Sequence, residues 1–131
     1  MIEMKTRDLI GKPLNWAVAQ YADKHVTLED IHWENYCPST DWAVGGPIIE
    51  RAHIAILSVA TAQYAVGQWA AEADLRQQPS DLGEGYAHEE DLGYLFYANA
   101  VTYGPTPLVA AMRCLVIEKF GETVKIPKEL L

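Results

Sequence analysis

The sequence predicts a single α+β domain spanning residues 1–131. An antiparallel sheet from the middle of the chain packs against a C-terminal helix, with an N-terminal helix alongside. Three observations lead there. The segment PTPLVAAMRCLVIEKFG, residues 105–121, carries start and stop signals for one long helix. HIAILSV alternates apolar side chains with the period of two expected of strands, and Gly67 interrupts any long helix, which favours strands over 53–60 and 67–74. The 131 residues are 50% hydrophobic and 21% charged, a balance that suits one globular domain with a core of its own.

Residues 1–24 read as helical. Thr6 is placed to cap a first turn, TRDLI, that ends at Gly11. Pro13 suits the first turn of a second helix, PLNWAVAQYAD. Leu14, Ala17, Val18 and Tyr21 recur at helical spacing and predict its buried face, while Trp16 points the other way. In HVTLEDIHWENY, residues 25–36, Val26 and Leu28 and then Ile31 and Trp33 alternate, which predicts a strand or hairpin. CPSTDWAVGGPIIERA, residues 37–52, is punctuated by Pro38, Gly45-Gly46 and Pro47. It reads mostly as loop, with a helical turn from Pro47 to Arg51.

Residues 53–75 are rich in alanine, which favours helix. The alternation in HIAILSV and the interruption at Gly67 favour two strands joined by a turn. RQQPSDLGEGYAHEEDLG, residues 76–93, is acidic and glycine-rich and reads as a surface loop. YLFYANAVTY, residues 94–103, reads as a strand leading into the last helix.

That helix is predicted over 107–120. Thr106 is its N-cap, Pro107 its first residue and Gly121 its terminator. Leu108, Val109, Met112, Leu115, Val116 and Phe120 form one broad apolar face, with Lys119 placed to snorkel outward. The opposite side, with Ala110, Cys114 and Ile117, is apolar as well. Either the loop after Arg76 folds over it, or a second copy of the chain covers it as a homodimer. Arg113 at the edge of the stripe reads as a structural ion-pair donor.

Several function classes lack their signatures. A net charge of −8 repels phosphate backbones, so no direct nucleic-acid binding is expected. An acidic decoy that imitates nucleic acid would be richer in Asp and Glu. No apolar run reaches the ~20 residues needed to span a bilayer, and the N-terminus has no signal-peptide core, so the expected compartment is the cytoplasm. Two cysteines are too few for a disulfide scaffold, and Cys114 reads as a buried apolar residue. His25, His32, His53 and His88 show no metal-ligand spacing. No phosphate-cradling glycine loop and no nucleophile elbow occurs. No cofactor is implied.

STDWAVGGPIIER (39–51), GPTPLVAAMRCLVIEKFGETVKIP (104–127) and LNWAVAQ (14–20) after LIGK resemble blocks of the phage NinX-type family of small proteins. They cover about a third of the chain, the C-terminal block being the most specific. The region from roughly 60 to 100 matches poorly. The family occurs in tailed bacteriophages and prophages and has no established biochemical function, so the resemblance implies an origin and a context. Polar positions within these blocks are Asn15, Ser39, Thr40, Asp41, Glu50, Arg51 and Arg113. If a binding site exists, Trp16, Asp41, Trp42, Glu50, Arg51 and Arg113 are its candidates.

Three functional expectations follow, the last of them an acidic nucleic-acid mimic. The first is a non-enzymatic accessory protein that binds a host or phage protein, with a homodimer through Ala110, Cys114 and Ile117. The second is a small hydrolase or nucleotide-modifying enzyme built on Asp41, Glu50, Arg51 and Arg113. Against the enzyme, Asp41 suits a turn cap, and Glu50 or Arg51 suits a pairing with Arg113.

Overall fold

A computed structural model describes residues 1–59, 68–73 and 101–131. In chain order it contains β1 (Ile2–Lys5), a 3-10 turn (Thr6–Asp8), α1 (Gly11–Ala22), α2 (Leu28–His32), α3 (Trp42–Ala52), β2 (Ile54–Val59), β3 (Gln68–Ala73), β4 (Val101–Gly104), α4 (Pro107–Phe120), β5 (Thr123–Ile126) and a closing 3-10 turn (Lys128–Leu130). The described strands form two antiparallel sheets, β1-β5 and β2-β3-β4. The fold is α+β, with the C-terminal helix packed on a sheet.

Helix α4 is the centre of the molecule. It has the predicted limits for the predicted reasons. The Thr106 hydroxyl accepts a hydrogen bond from the Val109 N–H at 3.1 Å, Pro107 opens the helix, and Gly121 takes a positive φ of 90° at its end. Leu108, Val109, Met112, Leu115 and Val116 are buried. At ~1.5–3 kcal/mol per large side chain, their burial gives about 10 kcal/mol of gross stabilisation, most of it opposed by chain entropy. Phe120 departs from the expected face and is 44% exposed. It is the helix's last residue, where the chain turns away.

The opposite side of α4 is covered by the chain's own sheet. The Thr102 hydroxyl on β4 donates to the Ala110 carbonyl at 2.6 Å, and Gly104 sits against the Ala110 backbone. Ala110 and Cys114 are fully buried there, and Ile117 is half-buried. This corrects the expected homodimer surface: two of its three side chains are already packed within the protomer. The 76–93 loop, the alternative cover, lies outside the described residues. Burial pushes the Cys114 thiol up to about 12. Cys37 and Cys114 are not joined in a disulfide.

On the other flank α4 contacts α1, α3 and the 3-10 turn at Thr6–Asp8. Leu14, Ala17 and Val18 of α1 are buried as predicted. Tyr21 is 48% exposed and carries the Lys119 ammonium 4.7 Å above its ring. Trp16 is half-buried and packs at the margin of the core.

Three stretches differ from expectation. Residues 2–5 form β1 and not helix. Ile2 and Met4 alternate with Glu3 and Lys5, and the partner strand β5 lies at the far end of the sequence, with Glu3 opposite Lys125. Thr6 caps no helix; its hydroxyl donates to the Gly121 carbonyl at 2.8 Å and fastens the start of the chain to the end of α4.

Residues 28–32 form α2 and not a strand. A reciprocal capping box decides this: the Asp30 N–H bonds the Thr27 hydroxyl at 3.1 Å, and the Asp30 carboxylate accepts from the Thr27 N–H at 3.0 Å. Ile31 is thereby buried and Trp33 left exposed.

Residues 42–52 form α3 and not mostly loop. Asp41 caps it by accepting from the Ala43 N–H at 3.0 Å. Gly45 lies within the helix because a side chain there would strike the Pro38 carbonyl and the Leu108 side chain.

β2 and β3 fall within the predicted strands and pair from Ile54↔Ala73 to Val59↔Gln68. The turn predicted between them lies outside the described residues. β4 is the end of the predicted 94–103 strand, and residues 94–100 also lie outside the described residues.

Gly104→Ala should destabilise by ~1–3 kcal/mol in urea unfolding, because its new Cβ would lie 2.7 Å from the Ala110 nitrogen. Gly46→Ala, with nothing within 4 Å, should instead stabilise by up to about 1 kcal/mol. A second expectation concerns pH. Hydrogen bonds from the Thr27 backbone and then its hydroxyl lower the pKa of Asp30 in the folded chain. Its contribution is therefore complete above the ordinary carboxylate value of about 4 and is lost as pH falls through the lowered value. The melting-temperature gap between wild type and Asp30→Asn should be present at neutral pH and close in acid.

A groove at the helix starts

Helices α1, α3 and α4 all begin at one place. The turns that precede them enclose a groove of about 360 Å³, lined among others by Ile10, Thr40, Trp42, Pro105, Pro107 and Leu108. Each turn is fixed from within. The buried Asn15 side-chain oxygen accepts from the Ser39 N–H at 3.1 Å and from the Ser39 hydroxyl at 2.7 Å, holding the turn before α3 against α1. The Arg113 guanidinium donates to the Leu9 carbonyl at 2.7 Å and the Tyr103 carbonyl at 2.8 Å. One side chain on α4 thus ties the turn before α1 to the end of β4. Burial lowers the Arg113 pKa, and the nearby Asp8 charge opposes that shift.

Trp42 stands at the rim, 54% exposed, and Ile10 is exposed as well. Among the described residues, none that lines the groove is ionisable. The Ser39 hydroxyl is spent on Asn15, and the Thr106 hydroxyl caps α4. The walls are therefore apolar and aromatic, with Thr40 adding an exposed hydroxyl.

A second cavity of about 270 Å³ lies where α1 and α3 end, lined by Tyr21, Ala22, Ile48, Arg51 and Ala52. Nearby, burial and then the Asp23 charge raise the Tyr36 pKa to about 12, with Arg51 acting in the opposite sense.

The six candidate residues are divided between these places. Trp42 lines the groove, and Asp41 precedes it as the α3 cap. Arg113 braces the groove from behind. Arg51 belongs to the second cavity, Glu50 is exposed on α3, and Trp16 packs on the core. Asp41 and Glu50 are nine residues apart along α3, a rise of ~14 Å, too far for a shared catalytic step. The anticipated pairing of Arg113 with Glu50 or Arg51 is replaced by its two backbone carbonyls. Among the described residues, no group of three or more His, Cys, Asp or Glu side chains could hold a metal ion, and no helix is long and apolar enough to cross a membrane.

The sequence reading missed Ile10, Pro105 and Pro107. Their signal was present as helix-start punctuation, which says where a helix begins and not which other starts lie beside it.

A protein-family model described as "Bacteriophage P22, NinX" matches residues 23–90, just over half of the chain. The chain belongs to the NinX family. This places it among bacteriophage accessory proteins. The match includes the 39–51 block and extends through the poorly resembling middle as far as residue 90, whereas the 14–20 and 104–127 blocks fall outside it. No curated protein matches the chain.

Arg113→Lys should cost ~1–3 kcal/mol in chemical denaturation, because an ammonium cannot span both carbonyls as the guanidinium fork does. Arg113→Met should lose at least as much.

Proposed function

We propose that this NinX-family chain is a non-enzymatic binding protein, whose groove at the starts of α1, α3 and α4 takes an extended, uncharged segment of a host or phage protein. The supporting observation is the groove's lining: an exposed tryptophan and isoleucine face two prolines, with no ionisable side chain among them. Such walls supply desolvation energy and shape, as in other aromatic-lined grooves that hold extended peptides. They supply no acid, base or activated nucleophile. The turns are pinned by buried hydrogen bonds before any partner arrives, so little ordering remains to oppose binding. Such a role suits the host cytoplasm, where a phage accessory protein would meet its partner, and it needs no cofactor.

Affinity capture from phage-infected cells tests the reading, with wild type compared against Trp42→Ala and Ile10→Ser. A partner held by wild type should be lost at least about tenfold with Trp42→Ala, as for a buried aromatic anchor. Identical recovery by all three proteins would exclude the groove.

A further inference from the structure

The walls of the groove at the helix starts are poor in backbone donors. Pro105 and Pro107 have no N–H to give. The Ser39 N–H goes to the Asn15 side chain, the Thr40 N–H to the Cys37 carbonyl at 3.2 Å, and the Val109 N–H to the Thr106 hydroxyl. These lining residues therefore offer an occupant no row of alternating donors and acceptors, which is what a bound β-strand requires. A polyproline II segment requires no such row. It makes no ladder of hydrogen bonds, and its prolines bring no N–H to be stranded on burial.

The lip formed by the start of α3 offers side chains instead. Thr40 carries an exposed hydroxyl, and the exposed Trp42 an indole N–H that can only donate. Both suit the backbone carbonyls of such a segment, and the indole face suits its proline rings. Charge adds a direction. Asp41 is exposed between Thr40 and Trp42; its Oδ1 holds the Ala43 N–H, and its negative charge stands at this lip. On the α1 side Lys12 follows Gly11, and the whole chain carries −8. A basic residue next to the bound core is thus drawn toward Asp41 and away from Lys12.

We infer, on the basis of the binding role proposed above, that the groove takes a proline-rich segment in the polyproline II conformation: its prolines lie against Trp42, and a lysine or arginine just outside the uncharged core stands over Asp41. One turn of polyproline II is three residues and ~9 Å long, so the contact is short. The conformation is formed before binding, which leaves little chain entropy to lose. The basic residue remains in solvent beside Asp41, so its contribution is modest and falls as salt rises.

Binding of the full chain to immobilised decapeptides, with titration of the best binders, tests this. Three matched sets are used: uncharged Pro-x-x-Pro cores with an arginine flank, the same peptides with alanine for proline, and the same cores with a glutamate flank. The tightest binders should fall in the first set, at least about tenfold above their alanine counterparts and about threefold above their glutamate counterparts at low salt. High salt should narrow the gap between the two flanks. Asp41→Asn keeps a capping oxygen for α3, so it should narrow that same gap and leave the proline preference intact. Trp42→Ala should remove the proline preference, with circular dichroism to check its fold. Alanine peptides that bind as well, a glutamate flank as good as arginine, equal binding by Trp42→Ala, or no binding in any set would each overturn the inference. If capture from infected cells still depends on Trp42 in that case, the binding role stands and only the class of segment is wrong; capture indifferent to Trp42 removes both.

Discussion

A helix buried over most of its length can exist in water only where other elements wall it in, and α4, with eight of its fourteen residues buried, imposes that demand on its neighbours. The β2-β3-β4 sheet closes one flank, while α1, α3 and the first 3-10 turn close the other. Close approach is made possible by what is missing. Ala110, Ala111 and Cys114 give α4 a low profile, Gly104 lets β4 lie against the helix backbone, and Gly45 lets α3 close on the Pro38 carbonyl and the Leu108 side chain. Polar groups caught in these contacts are satisfied at once, as with the Thr102 hydroxyl on the Ala110 carbonyl. The core is thus set by small residues at the crossings and large ones between them.

The groove is a by-product of the same packing. Because α1 and α3 flank α4 and all three start at the same end, their leading turns crowd together. A cleft remains where turns cannot interlock as helices do. What makes it suitable for recognition is that its walls are held by interactions it does not use. Asn15, Ser39 and Arg113 spend their polar atoms behind the surface, leaving Trp42, Ile10 and the two prolines in front. The positive ends of three helix dipoles point toward this mouth.

Much of this was legible in the sequence where the information was local. Thr106, Pro107 and Gly121 fix α4 within their own neighbourhood, and the alternation in IAILSV fixes β2. The errors fall where a residue's reason lies elsewhere. Gly45-Gly46-Pro47 looks like loop punctuation, but Gly45 answers to Pro38 and Leu108 across a helix crossing. Thr27 and Asp30 spell a capping box with a shorter acid than the usual glutamate, and β-branched neighbours disguised it. β1 is four residues long, and its partner lies more than a hundred positions away. For the candidate site, Trp42 lines the groove at the helix starts and Asp41 caps the helix beside it. Arg51 and Arg113 were grouped with them because side-chain chemistry is visible in one dimension and convergence is not. Arg113 proved to be a brace, which its charge alone did not foretell.

The pairing of β1 with β5 bears on how the chain can be made. Ile2 must wait for Ile126 before its edge is closed, and the helix that the β2-β3-β4 sheet, α1 and α3 lean on is itself translated late. Until then, β2, β3, α1 and α3 lack the helix they pack against, which begins only at Pro107 of 131 residues. A message cut short before α4 would therefore yield no half-working fragment, only a substrate for the host's proteases. Synthesis of this protein is in that sense all or nothing.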